Sequence, residues 1–181
     1  VAALNVASPF TGTITANANY CGGGPHGSVQ LALPVDIAAA KGTSVRFYAS
    51  SLVSKIKTFR MLDSVCALDP GDPWDTGVLV EMYNSSNLLV GKLFYAHLAN
   101  AIASSSITNP NGTQIGTVPD YCPLSLCPDT DGDGEQNCFT GPHVHFEIAG
   151  IPGGPAPYRY ATSCWSTAYY ANTVIFRIDY S

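Results

Sequence analysis

Apolar runs in this chain are short, and turn-forming residues close them off before they reach helical length. Residues 77–83 (GVLVEMY), 88–96 (LLVGKLFYA) and 143–149 (HVHFEIA) show the pattern, with β-branched and aromatic side chains prominent. Runs of this size suit strands, whereas an amphipathic helix needs about 10–12 residues or more. With 17 Gly and 13 Pro among 181 residues, and abundant Ser, Thr and Asn, breaks are frequent enough to favour many short strands joined by turns.

Further strands are expected within 8–20, 28–36 and 44–50, and at the end of the aromatic-rich tail 156–180 (TVIFRIDY). Residues 37–41 (IAAAK) read as a short helical turn or an extended entry. Asn84-Ser85-Ser86-Asn87 has the composition of a hairpin turn between two of the runs. Residues 117–142 hold three cysteines, four prolines and an acidic cluster, which reads as a long braced loop. No internal repeat is visible. Apolar residues make up 46%, enough for a core, and the 12% that are charged are too few for disorder by charge repulsion. The expected fold is mainly β: an antiparallel sheet core with long disulfide-braced loops. The length fits one domain, given a prior of roughly 100–200 residues. The aromatic tail residues Tyr158, Tyr160, Trp165, Tyr169 and Tyr170 are expected in strand core rather than in a substrate groove.

The formal charge is −5 with 8 Lys plus Arg and no basic stripe, which argues against a nucleic-acid partner because phosphate neutralisation needs clustered cations. No apolar run approaches the ~18 residues of a membrane span, and a monomer is expected. The cysteines Cys21, Cys66, Cys122, Cys127, Cys138 and Cys164 form an even, dispersed set rather than paired zinc knuckles. They read as disulfides of an oxidising compartment, with the pairing left open. Sequons at Asn84 and Asn111 permit N-glycosylation in a eukaryotic source. The chain opens at Val1 without an initiator Met or a charged-plus-apolar leader, so we expect maturation from a precursor and a secreted or periplasmic location.

Only four histidines are present, so each carries diagnostic weight. His143 and His145 are two residues apart in GPHVHFEI. On a strand both imidazoles and Glu147 then project from one face. That suits a bidentate metal site, or one ligand beside one acid/base group. Taken alone, such a pair is equally compatible with two core or surface histidines. Thr140-Gly141-Pro142 leads into the pair as a tight turn, Tyr95-Ala96-His97-Leu98 lies upstream, and His26 and Asp36 precede Gly42-Thr43-Ser44-Val45.

In this order the motifs resemble the lysostaphin-type zinc metallopeptidases, most of which are bacterial peptidoglycan endopeptidases. The likeness spans about residues 26–148, and the TGPHVHFE block is its most specific part. It implies a single peptidase domain over 1–181 with a strand extension at 149–181. It further implies that His26, Asp36 and His145 ligate zinc, with His97 and His143 as the catalytic pair. One departure stands: nine residues separate His26 from Asp36, where the family usually has only a few. The implied set makes chemical sense. Catalytic zinc takes three N/O ligands and keeps a position for water, whose pKa falls to about 7. No HExxH is present, so imidazoles must supply the general acid and base. Glu147 either orients an imidazole or is a solvated strand carboxylate.

Asp129, Asp131, Asp133, the turn glycine Gly134 and Asn137 match an EF-hand-like calcium loop. The loop departs where its bidentate glutamate would stand, at Thr140, so another oxygen such as Asp120 or a water would be needed. A solvated acidic turn is the alternative, although three neighbouring aspartates repel one another without a cation. Cys127 and Cys138 flank the loop as an expected brace.

The resemblance thus implies a secreted zinc endopeptidase acting on peptidoglycan cross-links or glycine-rich peptides. The alternative is a catalytically inactive, calcium-stabilised extracellular module that binds cell wall or activates another protein.

Overall fold

The computed structural model describes residues 2–17, 31–62, 76–119, 142–160 and 168–180. His26, all six cysteines, Trp165 and the calcium-loop residues Asp129, Asp131, Asp133 and Asn137 lie outside the described residues. The described chain is mainly β, with every strand pair antiparallel and no helix.

One sheet positions the site. Its strands are β2 (Gly12–Asn17), β3 (Ala32–Ala38), β5 (Lys55–Leu62), β6 (Thr76–Tyr83), β7 (Leu89–Leu98), β8 (Ser105–Thr108), β10 (His143–Ala149) and β12 (Ala168–Tyr169). Their order across the sheet is β12-β2-β3-β10-β7-β6-β5-β8. A second sheet places β13 (Val174–Tyr180) between β1 (Ala2–Ala7) and β11 (Tyr158–Arg159), and β4 (Ser44–Arg46) pairs with β9 (Gln114–Thr117).

Alternation along β10 decides which face builds the core. Val144, Phe146 and Ile148 are fully buried on one side, opposite Ile37 and Val35 of β3 and Tyr95 and Leu93 of β7. The Phe146 ring stacks on Tyr95 with centroids 5.0 Å apart and meets Phe176 of β13 at 5.2 Å. Leu4 and Val6 of β1 and Phe176 and Ile178 of β13 belong to the same buried cluster. The second sheet therefore covers the core face of the first, and full burial of each large apolar side chain stabilises by about 1.5–3 kcal/mol. The opposite face of β10 is left to His143, His145 and Glu147.

The hairpin between β6 and β7 follows from its asparagines. Asn84 Oδ1 accepts hydrogen bonds from the Ser86 and Leu88 amides, and Asn87 takes φ +60°, a left-handed conformation that asparagine tolerates. Residues 37–41 divide between two structures. Ile37 and Ala38 finish β3, and the chain then turns through Gly42 (φ +86°), with the Thr43 amide donating to Ala40 O.

Several expectations need adjusting. The run at 44–50 is a strand over Ser44–Arg46, followed only by an isolated bridge from Ala49 to Val6. β1, β5, β8, β9, β11 and β12 are strands that the apolar pattern did not reveal. In β5 the reason is visible: Thr58 occupies a buried inward position beside Ile56, and its hydroxyl donates to Ala103 O. A hydrogen-bonded threonine there hides the apolar period. The aromatic tail also splits. Tyr169 is core, whereas Tyr158, Tyr160 and Tyr170 are exposed. Of the sequon asparagines, Asn111 binds both backbone groups of Ala49 through its carboxamide.

Candidate functional site

Three neighbouring strands deliver the site. β10 lies between β3 and β7. In that register His145 stands directly opposite Asp36 on one side and Ala96 on the other, and His143 stands opposite Ala38. Directly paired residues share a face, so Asp36 and His145 are neighbours by strand registry. Asp36 Oδ1 is 2.9 Å from His145 Nδ1, and its Oδ2 is 3.9 Å from His143 Nε2.

The other nitrogen of His145 meets a different carboxylate. His145 Nε2 is hydrogen-bonded to Glu147 Oε1, and Glu147 Oε2 accepts the Leu31 amide N–H. Glu147 is fully buried, which excludes a solvated strand carboxylate. His145 is itself 8% exposed, so a carboxylate bonds each of its nitrogens inside the protein. Burial alone would lower its pKa. The hydrogen bonds and charges of Asp36 and Glu147 oppose this and push it from the ordinary 6.5 up to about 9.

His97 reaches the site by a departure from strand geometry. Tyr95 faces the core, so unbroken alternation would put His97 on the core face too. Between β6 and β7 the pairs run from Val78–Tyr95 to Thr76–Leu98, which leaves one extra residue on β7. This β-bulge falls at Ala96 and His97, and His97 takes φ +60°. The bulge turns the imidazole toward β10. Its ring centroid lies 5.0 Å from that of His143 and 6.0 Å from that of His145, edge to face in both pairs. Bulges beside functional sites commonly re-aim a side chain in this way.

No family model, curated protein or solved structure matches this chain. The chemistry of the site is therefore read from its own residues.

Of the sequence-derived candidates, the fold brings together Asp36, His97, His143, His145 and Glu147. Among the described residues no group of three or more His, Cys, Asp or Glu side chains forms a complete metal-ligand set. Asp36 and His145 supply two donors that face each other, and His26 lies outside the described residues. Sequence reasoning missed the Leu31 amide, because a backbone donor leaves no trace in residue identity. It also missed the bulge at His97, for which Tyr-Ala-His-Leu carries no glycine or other flag.

The arrangement has two parts. A buried imidazole is held between two carboxylates, one of them at the margin of the site. Beside it sit two further imidazoles, His97 and His143, a side-chain type able both to accept and to donate a proton.

Proposed function

We propose that this chain is a secreted zinc metalloendopeptidase of lysostaphin-like architecture, with disulfide-braced loops, that hydrolyses peptide cross-links of peptidoglycan. The observation that supports it most is the pairing of Asp36 with His145 beneath the imidazoles of His97 and His143. Four of the five residues implied by one motif order, Asp36, His97, His143 and His145, meet on one sheet face from three strands.

The residues fit a zinc ion by their donor chemistry. Aspartate oxygen and imidazole nitrogen are ordinary zinc donors, and a carboxylate behind the coordinating histidine is the usual support. In this reading Asp36, His145 and His26 would hold the ion. Zinc, when bound, supplies Lewis acidity toward water and the scissile carbonyl.

The remaining work falls to this chain's own side chains. The partly exposed His143, with Nε2 toward Asp36, is placed to accept a proton from the attacking water. His97, across from it, is placed to donate to the developing oxyanion or to the leaving amine. Glu147 keeps the His145 ring in place. The calcium loop Asp129, Asp131, Asp133 and Asn137 leads into β10 through Pro142, and we assign it the task of bracing the start of that strand.

The test is metal analysis of the purified protein followed by digestion of isolated peptidoglycan, with His143→Ala alongside. Stoichiometric zinc and peptide release that His143→Ala abolishes are the expected results. Full zinc occupancy with no hydrolysis of wall or glycine-rich peptides would sink the peptidase reading and favour an inactive binding module.

A further inference from the structure

We infer that Glu147 is a positioning residue: it fixes which nitrogen of His145 faces Asp36 and ties that imidazole to the chain entering β3. Its consequence for metal binding rests on the zinc reading above, but the two contacts do not.

Glu147 is fully buried, a costly place for a carboxylate unless both oxygens are bonded. Oε1 is hydrogen-bonded to His145 Nε2 and Oε2 takes the Leu31 amide N–H. The second contact depends on a local break in β3. Phe146 pairs with Val35 and Ile148 with Ala32, so β3 spends one extra residue opposite Glu147. Leu33, in that bulge, has φ +50°. The chain bends there and presents the Leu31 N–H to the carboxylate.

The two carboxylates around His145 are unequal. The Glu147 side chain is 1% exposed and tethered, whereas that of Asp36 is 18% exposed and also faces His143. A neutral imidazole has one N–H. Placed at Nδ1, it would leave the Nε2 lone pair against a buried carboxylate with no water to separate them. Placed at Nε2, it satisfies Glu147 and turns the Nδ1 lone pair toward Asp36. Without metal a second proton on Nδ1 bonds Asp36; once that proton leaves, the Nδ1 lone pair and Asp36 converge at the margin of the site as two acceptors for a cation. Glu147 therefore makes Nδ1 the ligating atom.

The experiment compares wild type, Glu147→Gln and Glu147→Ala, each metal-free and zinc-loaded. Imidazole nitrogen NMR should place a slowly exchanging proton on His145 Nε2 in wild type, and hydrogen exchange should find the Leu31 amide protected. Glu147→Gln should keep the fold and bind zinc ~10–100-fold more weakly in chelator competition, because its single carbonyl oxygen cannot accept from both the His145 Nε2–H and the Leu31 amide. A His145 proton on Nδ1 in the zinc-loaded wild type would overturn the inference. So would zinc affinity that is the same in wild type and Glu147→Gln. If Glu147→Ala does not fold, Glu147→Gln carries the same readouts. A wild type that takes up no zinc defeats the metal reading alone, and the proton on Nε2 and the Leu31 exchange then decide the positioning role.

Discussion

The imidazoles of His97 and His143 lie edge to face with centroids 5.0 Å apart, although strand alternation assigns His97 to the opposite side of the sheet. The left-handed φ of +60° at His97, inside a one-residue bulge, closes that gap. A non-glycine residue held there costs about 1–3 kcal/mol, so the contact is maintained against local backbone preference.

This strain separates stability from activity at position 97. His97→Gly should leave stability equal or raise it by up to ~1 kcal/mol while abolishing peptide release. His97→Val, branched at Cβ, should lose about 1–3 kcal/mol in addition to activity. Urea denaturation and a peptidoglycan release assay check both. A large destabilisation by glycine would show that the imidazole itself, not the backbone, holds the bulge.

The metal-free protein should lose stability in alkali through His145. Its pKa is raised from 6.5 unfolded to about 9 folded, against burial, by Asp36 and Glu147. A raised folded pKa means the contribution is complete below about pH 6.5 and is lost as pH rises through about 9. Thermal melts of the chelated protein between these limits should decline. The same series on Asp36→Asn should be flatter, and equal slopes would reject the coupling.

Phe146 holds β10 from the core side. Phe146→Ala removes a ring packed on both Tyr95 and Phe176, and should cost about 3–5 kcal/mol. Equilibrium unfolding measures this. A loss under 1 kcal/mol, on the order of an exposed site, would mean the two sheets do not pack through this residue.

Calcium at Asp129, Asp131 and Asp133 should support the start of β10. Removing calcium while replenishing zinc is expected to lower both Tm and peptide release, as binding to the native state alone requires. Asp131→Asn should reproduce the effect. Unchanged melting and activity in both experiments would remove calcium from the account.

Much of the scaffold was legible in residue order. The alternation in HVHFEIA placed Val144, Phe146 and Ile148 on one face and His143, His145 and Glu147 on the other. β3, β6, β7 and β13 and the Asn84–Asn87 turn followed from apolar runs and turn chemistry. β5 was hidden by the buried, hydrogen-bonded Thr58, and β8 by its exposed serines. Two-residue pieces such as β11 and β12 are too short to show any period.

Residue order thus settled that His143, His145 and Glu147 share a face, because the strand period is a local property of the backbone. Which residue stands opposite His145 was not local. Asp36 is 109 residues away in the chain, and only the registry of β3 against β10 makes it the partner. His97 is the clearer case, since the periodicity that predicts His145 predicts the wrong face for it. One extra residue in β7 and one left-handed φ reverse that assignment. Both arise where β7 pairs with β6, and no residue identity in Tyr-Ala-His-Leu marks them.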